Sequence, residues 1–155
     1  MPQGKLRDRR KKKSMVLRVG DEFDRIVDVM NNCFGWDYKA CMKGWYLLND
    51  RKRTSAWFPK ITDLSNGRSK PGDKWYGWCN TISDDGKFIY MNNFEDPSRL
   101  GKDMPNGVEP HLTFVKYPHE KTYKYAGVYA RVRRDKELGW VYERLAEDID
   151  TKDYL

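Results

Sequence analysis

Apolar and polar residues alternate most clearly in the second half of the chain. Two alternating segments, KWYGWCNTI and KFIYMNN, are separated by SDDG, and an Asp-Gly pair in that position is typical of a hairpin turn. The segment HLTFVKY also alternates, whereas YKYAGVYARV has apolar residues on both faces, as a central strand does. We therefore predict a β-hairpin that turns at residues 83–86, with two further strands after it.

A helical period precedes these strands. Four apolar residues recur at the i, i+3, i+4 and i+7 spacing that places them on one face of a helix: Phe23, Ile26, Val27 and Met30. Gly20 or Asp21 is expected to cap the start of this helix. One of Asn31, Asn32 and Gly35 is expected to end it.

The last apolar segment, WVYERLAEDI, fits two structures. Val141, Leu145 and Ile149 have helical spacing, whereas Trp140 and Tyr142 suit a strand. With one or two helices and five or six strands, the chain is expected to be an α+β protein. We predict a strongly bent, mostly antiparallel sheet that closes as a small β-barrel, since closure removes exposed strand edges.

Charge divides the chain into a tail and a body. Residues 1–13 carry seven cations against Asp8 alone, which is +6 of the net +7 and leaves the rest of the chain at +1. Such a segment is expected to be disordered when alone and attracted to phosphates. Residues 14–155 then form one domain. The expected phosphate contacts are Lys5, Arg7, Arg9, Arg10, Lys11, Lys12 and Lys13. A solubilising tail without a partner is the open alternative.

Several classes of protein are disfavoured by what the sequence lacks. No run of 18 apolar residues or apolar leader is present, so we expect neither a membrane span nor secretion, but a reducing cytoplasm. The three cysteines form no C-x-x-C pair and lie far in sequence from His111 and His119. We therefore expect no disulfide framework, metal site or cofactor. Oligomeric state is not readable from the sequence.

Catalytic motifs are also missing. The triplet Asp85-Gly86-Lys87 imitates the acid-x-Lys pattern of metal-dependent nucleases, but turn chemistry explains it. The sequence therefore favours a protein that is not an enzyme. An enzyme or small-molecule site formed only by the fold stays open as a second hypothesis, with these residues as its pool: Asp73, Asn80, Asp84, His111 and Glu143.

The aromatic residues favour binding. Six Trp residues are too many to bury with every indole N–H satisfied, although any one of them can belong to the core. An aromatic ring beside an amide can stack on a flat base and hydrogen-bond to its edge. The candidate base pocket is Trp36, Trp45, Trp75, Tyr76, Trp78 and Asn80.

A resemblance to a known family supports this interpretation. The order N-T, strand, D-G, strand, H-L-x-F and Y-x-Y-x-G-V-Y over about residues 70–150 resembles the PUA-like superfamily of small barrels, in its EVE, ASCH and SRA branches. The resemblance implies binding of RNA, or of modified bases in DNA, in an aromatic cleft. Some members accompany nucleases in restriction systems, but this chain has no recognisable nuclease domain.

We therefore predict a nucleic-acid-binding module for DNA or RNA that reads a modified or flipped base in an aromatic cleft. A separate nuclease or other effector is the partner that the resemblance implies. A protein–protein adaptor that uses exposed Trp and Tyr residues is a third hypothesis.

Overall fold

A computed structural model describes residues 15–64, 77–101 and 109–155. The predicted basic tail at residues 1–13 lies outside the described residues, as do Trp75 and Tyr76. The described part contains one α-helix, α1 (Ile26–Phe34), and two short 3₁₀ helices, Pro97–Leu100 and Thr151–Tyr154. Its strands are β1 (Val16–Leu17), β2 (Glu22–Phe23), β3 (Trp45–Asn49), β4 (Thr54–Trp57), β5 (Trp78–Ile82), β6 (Phe88–Asn93), β7 (His111–Val115), β8 (Tyr123–Asp135), β9 (Gly139–Ala146) and β10 (Ile149–Asp150).

One large sheet organises the fold. Its strands are ordered β3-β4-β7-β8-β9-β6-β5, with β2 paired to β8, while β1 and β10 form a separate two-stranded sheet. Every strand pair is antiparallel except β4 and β7, which run parallel. The predicted α+β class with a mostly antiparallel sheet agrees with this arrangement.

The hairpin predicted from the Asp-Gly pair is confirmed. β5 and β6 pair antiparallel, and the Gly86 amide donates to the Ser83 carbonyl at 2.9 Å. The Asp85 carboxylate accepts from the Ser83 hydroxyl and the Lys87 amide, which fixes the turn. Residues 139–146 form strand β9, so the strand pattern of Trp140 and Tyr142 prevails over the helical spacing.

The predicted helix exists but begins later than expected. α1 starts after Arg25, whose backbone is extended, and Phe23 belongs to β2 instead. Asp21 cannot cap α1 because its carboxylate accepts the Arg18 amide in the preceding turn. The predicted end is confirmed at Gly35, whose φ of 72° is left-handed. None of the helices in the described part of the chain has the length and apolar character that a membrane crossing requires.

Two apolar clusters lie on the two faces of the large sheet. On one face α1 packs through Val29 and Met30 against a cluster that contains the stacked Phe58 and Phe114 rings, 5.3 Å apart. The other cluster contains Ile89, Val115, Trp140 and Tyr142. It draws residues from β5, β6, β7, β8 and β9, and Trp57 of β4 packs against it. This second cluster therefore lies inside the bend of the sheet.

A short segment after β4 joins the two sides of this bend. The Ile61 amide donates to the Lys116 carbonyl at 2.9 Å, just beyond β7. The Thr62 amide donates to the Asn80 carbonyl of β5 at 2.8 Å. Residues 60–62 therefore connect β5, at one end of the strand order, to the β4 and β7 side.

Gly139 should be irreplaceable at the start of β9. Its φ of 81° disfavours any side chain, and a Cβ there would overlap the Met91 carbonyl oxygen and lie 2.9 Å from the Asn92 Cα. We expect Gly139→Ala to lower the free energy of unfolding by about 2–5 kcal/mol, because strain and overpacking add. Urea denaturation measures this loss.

Gly20→Ala is the matched control. Gly20 has a φ of 100° but no atom within 4 Å of the added Cβ, so this substitution should cost only the strain, about 1 kcal/mol. Equal losses in the two variants would show that the packing around β9 is looser than described.

Candidate nucleic-acid interface

The described aromatic site lies where strands from both sides of the bend meet. The Trp57 ring of β4 lies 4.5 Å from the Tyr142 ring of β9. The His111 ring of β7 lies 6.0 Å from each of them. Tyr142 is buried, whereas Trp57 and His111 are partly exposed. We call Trp57, His111 and Tyr142 the aromatic triad; its partly exposed members are the surface on which a flat ligand can stack.

His111 is held by a buried hydroxyl. Ser55 and His111 are directly opposite on the parallel strands β4 and β7, and the Ser55 hydroxyl bonds to His111 Nδ1. Ser55 is fully buried, and in the described part of the chain its hydroxyl has no other hydrogen-bond partner. We infer that the hydroxyl donates to Nδ1, which leaves the proton of the neutral ring on Nε2.

Burial keeps His111 neutral. Desolvation is the main cause that lowers its pKa to about 4; the charge of Glu109 opposes this shift, and the charge of Arg131 adds to it. At neutral pH the ring therefore offers an Nε2–H donor. Burial also raises the pKa of the Tyr142 phenol, so this hydroxyl stays protonated.

Arg131 supplies a positive charge beside the triad. Its guanidinium donates to the Tyr142 hydroxyl at 2.8 and 3.2 Å, which leaves the phenolic hydrogen able to donate elsewhere. The same guanidinium lies 4.3 Å from the centre of the buried Trp140 ring. Within the described ranges Arg131 has no ion pair with a carboxylate, so its charge is available to a ligand.

Strand directions gather several loops at one end of the sheet. β4, β5, β7 and β9 begin at this end, and β6 and β8 finish there. The described connections at residues 50–53, 94–101, 109–110 and 136–138 therefore lie around the starts of these strands. We call this the loop end of the sheet; Ser55, His111 and Trp140 lie close to it.

Two of the residues predicted for the base pocket lie on strand β5. Trp78 is partly buried against the inner apolar cluster, and the Arg99 guanidinium lies 5.7 Å from its ring. The Asn80 side-chain amide donates to the Lys60 carbonyl at 3.2 Å. Its Oδ1 is buried without a hydrogen-bond partner. An orphaned acceptor here is costly unless a ligand donates to it.

Trp36 and Trp45 lie apart from Trp78 and Asn80. Trp36 packs on the helix side of the sheet, edge-on to Tyr38 and Tyr46. Trp45 begins the edge strand β3 directly opposite Trp57, and it is 44% exposed. Since directly opposite residues share a sheet face, Trp45 flanks the triad, but Trp36 does not.

The residues considered for catalysis do not converge. His111 bonds to a serine and not to a carboxylate. Asp84 lies in the β5–β6 turn at the far end from His111, Glu143 pairs with Phe88, and Asp73 lies outside the described residues. Among the described residues no group of three or more His, Cys, Asp or Glu side chains could hold a metal ion.

Sequence reasoning missed Trp57, Tyr142 and Arg131 as site residues. Each lies in a different strand, and the contacts between β4 and β9 span 85 positions that no local pattern links. The one available signal was the interruption of apolar strands by Arg131 and His111, because a charged or titratable residue within a strand needs a partner.

Comparisons with known proteins identify a matching family and a similar solved structure. The profile of the family described as SET and RING associated (SRA) domain matches residues 10–151. No curated protein matches the chain significantly. A solved structure of the 5-hydroxymethylcytosine-specific restriction enzyme AbaSI is similar, with a TM-score of 0.67 and 25% identity. The match covers 87% of this chain and 42% of AbaSI, so the chain spans less than half of that enzyme.

These matches confirm the resemblance noted in the sequence, which named the SRA branch of the PUA-like superfamily. The profile match is longer than the resemblance at about residues 70–150 and includes α1 and β1 to β4. The prediction of a nucleic-acid-binding module is confirmed with it. The chain belongs to the SRA domain family.

Proposed function

We propose that this domain binds DNA and reads a modified cytosine at the aromatic triad. The observation that carries the proposal is the partly exposed Trp57 ring, backed by Tyr142 at 4.5 Å and with the His111 ring 6.0 Å away. Membership of the SRA family and likeness to a 5-hydroxymethylcytosine-specific enzyme support DNA over RNA. A base turned out of the duplex would stack on Trp57.

The polar groups around the triad match the edge of cytosine. Asn80 Oδ1 is an acceptor without a partner, and it suits the exocyclic amino group of cytosine. His111 Nε2–H and the Tyr142 hydroxyl are donors, which suit the ring nitrogen and carbonyl oxygen. Arg131 adds a charged donor. We propose that Arg131 faces an oxygen carried by the substituent at C5, and so favours oxygen-bearing over methyl modifications.

The other residues that the sequence predicted for the base pocket have different roles in this proposal. Trp78 and Asn80 remain in the pocket because both lie on β5, and Trp75 and Tyr76 precede them directly in sequence. Trp45 flanks the pocket beside Trp57. Trp36 is left out because it packs on the opposite face of the sheet.

We also propose that the sheet closes as a small barrel around the inner apolar cluster. The hydrogen bonds of Ile61 and Thr62 support this closure, since they join the β7 side to β5. A closed wall would hold Trp57 against Tyr142 and keep the pocket in place before DNA arrives, which lowers the cost of binding.

Positive charge at the loop end supports contact with phosphates. Among the described residues, none of the following has an ion pair with a carboxylate: Arg99, Arg131, Arg134 and Lys136. The seven cations of residues 5–13 would add a sequence-independent attraction.

We propose that a nuclease, in the same or another chain, acts on the DNA that this domain selects. Its cytoplasmic location stays a prediction.

Arg131→Gln should reduce discrimination between bases. We expect the preference for a duplex with one 5-hydroxymethylcytosine over its unmodified form to fall about tenfold, the value of one charge-assisted hydrogen bond. Fluorescence anisotropy with both duplexes measures the ratio. Arg133→Gln is the control, because Arg133 is exposed and paired with Asp135. An unchanged ratio in Arg131→Gln would contradict the role of Arg131.

Deletion of residues 1–13 should weaken binding to every duplex alike. If all seven cations contact phosphates, the slope of log K against log salt should lose up to about 6. Titrations at several salt concentrations measure it. If the slope is the same with and without the tail, the segment makes no phosphate contacts and the solubilising alternative holds.

The neutral state of His111 predicts a loss of stability in acid. The folded pKa of about 4 is below the ordinary value of 6.5, so the unfolded chain binds more protons between these values. The free energy of unfolding should fall by up to about 3 kcal/mol as pH drops from 6.5 to 4. Denaturation across this range should show a flatter profile for His111→Gln. Parallel profiles would place the titration elsewhere.

A further inference from the structure

A second depression lies beside the aromatic triad, between the end of β6, the 3₁₀ helix Pro97–Leu100 and the β8–β9 hairpin. It has a volume of about 670 Å³. The residues of its lining that matter here are Asn93, Phe94, Arg134 and Lys136. We call it the hairpin cleft. Nothing in the base-reading site uses it.

The hairpin cleft contains an unsatisfied donor. Asn93 is 1% exposed, and its Oδ1 accepts from the amides of Glu95 and Asp96 at 3.1 and 2.9 Å. These two bonds fix the orientation of the side-chain amide. Its Nδ2 is buried and has no hydrogen-bond partner. A ligand oxygen that reaches the floor of the cleft would give this donor a partner, which favours an acceptor-bearing ligand.

The rim of the cleft carries two cations, Arg134 and Lys136, beside two acids, Asp135 and Glu137. The Arg134 guanidinium donates to the carbonyls of Pro97 and Gly101 and lies 5.7 Å from the Trp140 ring. Carbonyls orient this group but do not neutralise it. Asp135, the nearest acid in sequence, caps the hairpin turn and pairs with Arg133. Lys136 is exposed at the same rim.

An aromatic ring completes the set. Phe94 is 37% exposed and lines the cleft. Cations for a phosphate, a donor for an oxygen and a ring for stacking together match a nucleotide better than an acidic peptide, which needs no stacking surface. The donors and the ring lie in one depression, so a single ligand can use them all.

The cleft adjoins the base-reading site through one residue. Trp140 is buried, and its ring has Arg131 at 4.3 Å and Arg134 at 5.7 Å. Arg131 donates to Tyr142 of the triad, and Arg134 lines the cleft. We propose that the hairpin cleft binds the nucleotide next to the base being read, with its phosphate at Arg134 and Lys136 and a base oxygen at Asn93. This proposal rests on the proposed function.

Chemically modified duplexes test the proposal. The probes carry one 5-hydroxymethylcytosine, and in each probe one neighbouring phosphate is replaced by an uncharged methylphosphonate. We expect Lys136→Gln and Arg134→Gln each to weaken binding about threefold to tenfold at low salt and to lower the salt slope by about 1. On the probe that lacks the contacted phosphate, this loss should vanish.

Matched variants keep the result interpretable. Lys121→Gln removes an exposed cation from the β7–β8 connection at the opposite end of the sheet, so it should bind like the unmodified protein. Asn93→Asp keeps the acceptor for Glu95 and Asp96 but replaces the free donor, and it should weaken binding at least as much as Lys136→Gln. Thermal melting shows whether each variant is folded.

Failure of the proposal is distinguishable from failure of the proposed function. If Arg134→Gln and Lys136→Gln match Lys121→Gln on every probe while the modified base is still preferred, the cleft proposal alone is wrong. If the protein shows no preference for the modified base, the proposed function is wrong as well. If Lys136→Gln abolishes binding of a hexaglutamate peptide but leaves duplex binding unchanged, the cleft is a peptide site and the nucleotide assignment falls.

Discussion

The two-sided hydrogen bonding of residues 60–62 is the constraint on which the inner face of the molecule depends. Ile61 bonds to the β7 side and Thr62 to β5, so the two sides of the bent sheet are tied together by backbone groups. Trp57, three residues before this segment, is thereby carried across the interior to Tyr142. In the strand order β4 and β9 are separated by β7 and β8, so the contact between Trp57 and Tyr142 requires the sheet to bend.

Burial and charge have separate effects at the triad: burial keeps His111 neutral, and Arg131 supplies the positive charge. Ser55 and His111 satisfy each other where water is excluded, so a titratable ring can lie against aromatic groups in its neutral form. Arg131 remains charged but is hydrogen-bonded to a phenol and packed on an indole. In the pocket proposed above, these neutral and cationic donors and the orphaned acceptor of Asn80 would recognise a polar edge rather than an apolar shape.

Trp140 connects this site to its surroundings. Its indole N–H donates to the Leu100 carbonyl at 2.7 Å, which ties β9 to the 3₁₀ helix Pro97–Leu100. The guanidinium groups of Arg131 and Arg134 both lie near this ring, at 4.3 and 5.7 Å from its centre. The same residue therefore supports the inner core, the hairpin cleft and the position of Arg131. Under the proposals made above, this arrangement would couple the reading of a base to the holding of its strand.

Local sequence pattern was sufficient to predict the elements that are determined by interactions within a few residues. Alternation and the Asp-Gly pair predicted the β5–β6 hairpin, because turn chemistry and the side-chain period act over a few residues. Gly35 marked the end of α1 because only a left-handed residue fits there. The resemblance in motif order led to the family that the longer match confirmed.

Tertiary structure alone decided which aromatic residues meet. Trp57 looked like one of six equivalent indoles, yet its ring lies 4.5 Å from Tyr142, on a strand that is not its neighbour in the sheet. Trp36 looked equally suited to a pocket, yet it packs beside α1 on the other face. Sequence spacing determines which side of its own strand a residue occupies, but the curvature and closure of a sheet determine which strands that side will face.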